Sequence, residues 1–249
     1  MDVIFSPADI DKGSLILVNQ TYPLRCGYNP TTLIAVNLEY PDILLDMKAA
    51  SVLQHLMDDL KCGSEIVPVS GYRSLTQQKR IYAKALKEHG KEFTRQYVAL
   101  PNHSEHQTGL AIDLGRKMEE IDFIRPDFPY EGICDRFRKK APEYGFIERY
   151  QKGKEDITGI AFEPWHFRYV GYPHSKIMAH LNISLEEYVD FIREYPYQGK
   201  HFQAAYLQNA EVFYLNLSEC GGDRIQLPDP ALYQISGNNV DGVIVTVWR

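Results

Sequence analysis

The stretch S-E-H-Q-T-G-L-A-I-D, residues 104–113, decides how the rest of the chain is read. Its second half, Gly109 to Asp113, has the composition of a brief strand. Side chains alternate along a strand, so Leu110 and Ile112 face one side, and Gly109, Ala111 and Asp113 face the other. Two tiny residues beside an acid leave open space above that face. A carboxylate in such a pocket is costly unless something positive meets it. A metal ion would do so, and His106, in the turn before the strand, can fold back beside Asp113.

A second constellation lies downstream, E-P-W-H at residues 163–166. On a regular strand Glu163 and His166 would point to opposite faces. Pro164 fixes a bend between them, which lets both approach one centre. His166 then enters the aromatic strand WHFRYV, where packing can lock its ring. Two histidines and one carboxylate make a three-ligand catalytic zinc set with a fourth position left for water. Zinc turns that water into a nucleophile near neutral pH and polarises a carbonyl. A carboxylate outside the ligand set is still needed to take the proton and return it to the leaving amine.

On spacing alone either acid can be ligand or base. Asp113 is preferred as ligand because it is strand-mounted, and Glu163 as base because it leads His166 across a turn. His103 competes with His106, and His174 and His180 compete with His166. Arg73 lies in S-G-Y-R-S, between a strand and a helix, where a fixed guanidinium can hold a developing oxyanion. Ser104 and Gln78 can bind peptide or carboxylate groups of a substrate, and Tyr72 and Trp165 can wall the pocket. Taken singly, each residue has a blander reading: a surface histidine, a turn aspartate, a structural ion pair, a loop cap, a core tryptophan. Only the joint spacing points to a metal site.

Farther out, SLILVNQ (14–20) reads as a short strand, and residues 21–32 as a Pro/Gly/Asn-rich loop before the apolar stretch TLIAVNL. Apolar residues recur at helical spacing from Leu44 to Leu60. EIVPVS (65–70) reads as a strand in which Pro68 favours an edge or a bulge. Thr76 to His89 reads as a helix closed by Gly90. Residues 115–130 read as a surface loop, 131–141 as a helix, and 145–150 and 165–170 as strands. Ser184 suits the N-cap of LEEYVDFIREY, with Glu187 in the capping-box position. Beyond Gly199 the chain turns β-rich: VFYLNLS, a GGD turn, RIQLP and NNVDGVIVTVW.

The bulk numbers bound the function classes. The chain has 249 residues, 44% hydrophobic and 24% charged, which is ordinary for a folded globular protein. A net charge of -6 gives no general attraction to nucleic acid or anionic lipid. The four cysteines form no CxxC pair and read as free buried thiols. Neither a signal peptide nor a membrane span is expected. With no G-x-S-x-G segment, a serine hydrolase is disfavoured.

Three segments together resemble the zinc D,D-peptidases that cut D-alanyl-D-alanine: the VanX dipeptidases, the VanY carboxypeptidases and, most nearly, the bifunctional VanXY enzymes. SGYRSLTQQ (70–78) is similar to the family's SGYRS segment, SEHQTGLAID (104–113) to its S-x-H-x-x-G-x-A-x-D motif, and EPWHFRYVG (163–171) to its E-x-x-H motif. LVNQTYPL (17–24) is similar to its N-terminal strand. The resemblance implies an α+β, hedgehog-like D-Ala-D-Ala metallopeptidase fold, with a small central antiparallel sheet flanked by helices. It implies one Zn2+ per chain on His106, Asp113 and His166. It implies Glu163 as general base and Arg73 as oxyanion stabiliser, with Gln78 and Ser104 touching substrate. The implied substrates are free D-Ala-D-Ala and the muramyl pentapeptide precursor, in the cytoplasm, with a role in vancomycin resistance. The alternative is an L,D- or D,D-peptidase, or an endolysin, acting on mature wall peptides. The expected domains are a catalytic one over 1–185 and a β-rich extension over 186–249 packed on it. Oligomeric state stays open.

Overall fold

The computed structural model describes residues 2–25, 27–30, 32–207, 209–217, 224–227 and 232–248. In chain order its strands are β1 (Asp2–Ile4), β2 (Leu33–Ala35), β3 (Leu44–Asp46), β4 (Ile66–Ser70), β5 (Ala111–Arg116), β6 (Phe146–Tyr150), β7 (Glu163–Tyr169), β8 (Phe202–Gln203), β9 (Ala210–Asn216), β10 (Arg224–Gln226), β11 (Leu232–Gly237) and β12 (Gly242–Trp248). The helices are α1 (Met47–Asp59), α2 (Leu75–Tyr97), α3 (Gly132–Lys140), α4 (Glu155–Thr158), α5 (His174–Leu181) and α6 (Leu185–Arg193). The fold is α+β with antiparallel sheets, as the sequence predicts.

Residues Val18–Ser184 form one compact unit. Its four-stranded sheet has the order β4-β5-β7-β6, and every pairing is antiparallel. The alternation read from Gly109–Asp113 sorts this sheet into two faces. Leu110, Ile112 and Leu114 join Trp165, Phe167 and Tyr169 in a core shared with α1 and α3. On the other face β5 and β7 set Ala111 opposite Arg168 and Asp113 opposite His166. Pro68 lies both on the edge strand β4 and at a register shift, so its missing N–H costs the ladder little.

Local signals explain the helix limits. The helical spacing seen from Leu44 begins too early: Leu44–Asp46 pair with β2 as a strand, and the Asp46 side chain accepts from the Lys48 and Ala49 N–H groups to start α1. Ser74 and Gln77 form a capping box at the start of α2. Gly90 kinks this helix instead of closing it: at φ 81°, ψ 177° it leaves the helical path, which resumes and runs to Tyr97.

Residues Met1–Leu17 and Leu185–Arg249 form the second unit. It holds a four-stranded antiparallel sheet of order β11-β12-β9-β8 and a separate β1-β10 pair. Phe213, Leu215, Val243, Val245 and Val247 pack with Phe5 and Ile10 in its core. Assigning the first seventeen residues to the catalytic domain therefore differs from the observed grouping, because their partners are in the C-terminal segment. Ser14–Gln20 is not a strand either. The Leu15 N–H goes to Ser236 Oγ at 2.8 Å and the Leu17 N–H to the Asn238 carbonyl at 3.0 Å, while Asn239 Nδ2 donates to the Leu17 carbonyl. Single bonds to a hairpin satisfy this buried segment where a ladder was expected. The GGD turn lies outside the described residues, as do Cys26 and Cys220; Cys62 and Cys134 are free and buried. Among the described residues no helix is long and apolar enough to cross a membrane.

Candidate metal centre

The polar face of the β4-β5-β7-β6 sheet carries the site. Register alone brings Ser70, Asp113 and His166 side by side across three strands. His106 arrives from the 3-10 turn Glu105–Thr108, which ends at Gly109 with φ 73°. A side chain at Gly109 would be strained by that φ and would meet Leu33 Cδ2 at 2.7 Å, so glycine lets the turn close. The His106 carbonyl receives the Arg73 N–H at 3.1 Å, which ties this turn to the S-G-Y-R-S segment.

Hydrogen bonds set the direction of each ring. His106 Nδ1 lies 2.7 Å from the Gly71 carbonyl, which can only accept, so Nδ1 carries the proton and Nε2 faces Asp113 Oδ2 at 3.2 Å. His166 turns Nδ1 toward Asp113 Oδ1 at 3.0 Å and Nε2 toward Glu105 Oε2 at 3.4 Å. The two rings meet edge to face with centroids 5.0 Å apart. His106, Asp113 and His166 are all buried, and each offers a ligand atom within 4.8 Å of the others. Two imidazole nitrogens and one carboxylate oxygen at this spacing fit a single zinc ion. The competing histidines lie elsewhere: His103 Nδ1 is bound to the Asn19 carbonyl at 2.7 Å, and His174 and His180 are on α5.

Glu163 Oε2 lies 3.8 Å from His166 Nδ1. The sequence reading attributes this approach to a turn at Pro164. In fact the chain stays extended through β7, and the pairing with β6 shifts from Glu148↔Phe167 to Tyr150↔Glu163. This bulge places extra β7 residues opposite β6 and breaks the strict alternation that would have separated Glu163 from His166.

Burial and neighbouring charge divide the acids. Burial pushes the Glu163 carboxyl up to about 8 against the pull of His166 and Arg73. Asp113 is equally buried, yet His106, His166 and Arg73 overcome that cost and hold it well below the usual carboxylate range. Burial disfavours charge on His166, but its bonds to Asp113 and Glu105 raise it to about 9. Burial, then Arg73, lowers His106. One acid is thus a firm anion and the other a proton acceptor of intermediate strength.

Arg73 is anchored by Nε to Ser70 Oγ at 2.8 Å and by Nη2 to Asp113 Oδ2 at 2.7 Å, with its guanidinium 5.4 Å from the centre of the Phe123 ring. Gln78, Ser104 and Trp165 line the same cleft, beside apolar walls from Val98, Ile124 and Ile160. Gln78 is fixed by donating Nε2 to the Ala99 carbonyl at 2.8 Å. Tyr72 is not among the lining residues; its backbone N–H is bonded to the Leu44 carbonyl at 2.7 Å.

Sequence reasoning passed over Glu105. Its side chain is fully buried between Arg149 Nε at 2.7 Å and Arg168 Nη1 at 3.0 Å, and it touches His166. A signal existed: FIERY and WHFRYV each carry an arginine within an otherwise buried strand, and a buried arginine needs a buried carboxylate.

The family model described as "VanY: D-alanyl-D-alanine carboxypeptidase" matches residues 42–172. A curated relative, the bifunctional D-Ala-D-Ala dipeptidase and D-Ala-D-Ala carboxypeptidase VanXYC of Enterococcus gallinarum, is 41% identical over 182 residues, covering 73% of this chain and 96% of the relative. Among solved structures, the vancomycin resistance D,D-dipeptidase VanXYg in complex with a D-Ala-D-Ala phosphinate analog superposes with a TM-score of 0.95 at 52% identity, covering 100% of this chain and 99% of that one. The D,D-pentapeptidase VanY from a VanB-type resistance cassette, solved in complex with Zn(II), superposes with a TM-score of 0.58 at 29% identity over 71% of this chain and 98% of that one.

Proposed function

This chain belongs to the D-alanyl-D-alanine carboxypeptidase (VanY) family, and from that premise we propose that it hydrolyses free D-Ala-D-Ala and removes the terminal D-Ala of the UDP-linked muramyl pentapeptide. The observation that carries the reading is the convergence of His106, Asp113 and His166 with Glu163 alongside, in one buried cleft. Loss of D-Ala-D-Ala ends would confer vancomycin resistance, the role named for the VanXYg relative. A cytoplasmic location suits a soluble precursor substrate and accords with the buried free thiols of Cys62 and Cys134.

His106, Asp113 and His166 would hold the zinc, whose chemistry when bound is to polarise the scissile carbonyl and acidify water. Glu163 takes the proton of the attacking water on its carboxylate and returns it to the leaving amine, for which its raised proton affinity suits it. Arg73, held rigid by Ser70 and Asp113, steadies the charge that develops on the carbonyl oxygen. Ser104 and Gln78 bind the peptide's polar groups, and Trp165 with the apolar walls excludes bulk water.

A panel of free D-Ala-D-Ala, UDP-muramyl pentapeptide and whole peptidoglycan tests this reading. Turnover of the two soluble substrates is expected. Cleavage confined to the polymer, or to an L,D-linked peptide, would replace it with a wall-directed enzyme. Metal analysis should give about one zinc per chain, as a single three-ligand site requires. Chelation should abolish turnover, and added zinc should restore it.

A further inference from the structure

Glu105 is the least accessible acid beside the site, and its two oxygens have separate duties. Oε1 receives Arg149 Nε at 2.7 Å and lies 3.0 Å from Arg168 Nη1, with all three side chains fully buried. Oε2 is left facing His166 Nε2 at 3.4 Å. A carboxylate hydrogen-bonded at one oxygen by Arg149 and held there beside the Arg168 charge cannot rotate freely, so the direction of its other oxygen is also fixed. The ring nitrogen it meets is the one turned away from Asp113.

The arginines come from neighbouring strands, Arg149 from β6 and Arg168 from β7, and Arg168 stands two residues beyond His166 on the same face. Glu105 itself directly precedes His106 in the 3-10 turn. One short turn therefore supplies one histidine of the site and contacts the other. A cluster whose only purpose was stability would be a poor use of buried charge, because well-packed apolar residues usually do as well or better. Imidazole ligands generally donate their second nitrogen to a carboxylate or carbonyl that fixes ring and tautomer. His106 has the Gly71 carbonyl for this purpose, and Glu105 is the matching partner of His166.

We propose that Glu105 is a positioning residue of the metal centre: pinned by Arg149 and Arg168, it accepts from His166 Nε2 and so fixes the ring and tautomer that present Nδ1 to the metal. This rests on the zinc reading above. The test uses the full chain with E105D, which keeps the charge between the arginines but withdraws the carboxylate from His166. Zinc affinity is measured by chelator competition, ligand geometry by the visible spectrum of the cobalt-substituted protein, and fold by the melting temperature of the metal-free protein. Zinc affinity should fall by about 10–100-fold, the usual cost of losing such a partner. The cobalt bands should shift, and kcat for D-Ala-D-Ala should fall with little change in KM.

Wild-type affinity and an unaltered cobalt spectrum in E105D would overturn the proposal and leave Glu105 as a partner of the arginines alone. Should E105D fail to fold, R149K carries the same readouts, since it loosens only the pinned oxygen. A several-fold loss of zinc affinity is then expected, and unchanged affinity and spectrum would overturn the proposal. A wild-type chain that binds no zinc would instead sink the zinc reading itself, independently of either variant.

Discussion

Among the described residues, two four-stranded antiparallel sheets are put to opposite uses. The β4-β5-β7-β6 sheet buries charge on one face: Glu105, His106, Asp113, Arg149, Glu163, His166 and Arg168 are all at most 6% exposed. The β11-β12-β9-β8 sheet buries mostly aliphatic and aromatic side chains. Strand pairing is common to both, so chemistry follows from what the register sets side by side. Desolvated charges contribute little net stability and become costly once a partner is lost. Apolar burial stabilises steadily with area and has no directional demand. Mutation in the charged sheet should therefore show in rate, with stability following where a buried charge loses its partner, and mutation in the apolar sheet should show in stability alone.

The sharpest separation is expected from Glu163→Gln. Turnover should fall by about 10²–10⁴-fold, the usual worth of a general base, while zinc content stays at the wild-type level. Activity that survives this change would assign the base elsewhere. Next, Phe213→Ala in the apolar sheet should cost about 3–5 kcal/mol in denaturant unfolding, with kcat/KM per folded molecule unchanged. A drop in specific activity there would break the contrast.

A milder test is acid sensitivity. Burial lowers the fully enclosed His174 to about 3, so the folded chain refuses a proton that the unfolded chain accepts below about 6.5. This contribution is complete above 6.5 and is lost as pH falls toward 3, at up to about 1.4 kcal/mol per pH unit. His174→Gln should flatten the slope of stability against pH in that window. The smallest effect should come from Asp46→Ala, which removes the cap of α1 for about 1 kcal/mol and leaves kinetics nearly untouched.

Much of the charged sheet was legible in the sequence. The alternation from Leu110 to Asp113 foretold which face holds the core, and small residues beside an acid foretold space for a site. Glu105 was hidden because its meaning depends on Arg149 and Arg168 converging from separate strands, a fact of register that spacing does not carry. The approach of Glu163 to His166 was anticipated for a different reason, since a bulge in a continuous strand has no sequence signature as plain as a proline turn. Ser14–Gln20 misled because an apolar run looks the same whether a ladder or scattered single bonds satisfy its backbone. β11 was overlooked because LYQISG mixes polar and apolar residues with few strand signals. Gly90 was read as a limit and Asp46 as a position inside a helical run from Leu44, and only backbone geometry separates a kink from an end or a cap from a helical turn.

Leu15 and Ser236 are bonded across a separation of 221 residues. Every such contact in the unit built from both chain ends requires a very long loop to close first, whereas Val18–Ser184 is continuous and can be settled by nearer pairings. Loop closure grows only slowly more costly with length, but rates fall steadily as contacts become less local. The metal-binding unit and the apolar sheet, whose strands pair within residues 202–248, are thus expected to form first, and the opening residues to dock last on strands that already wait for them.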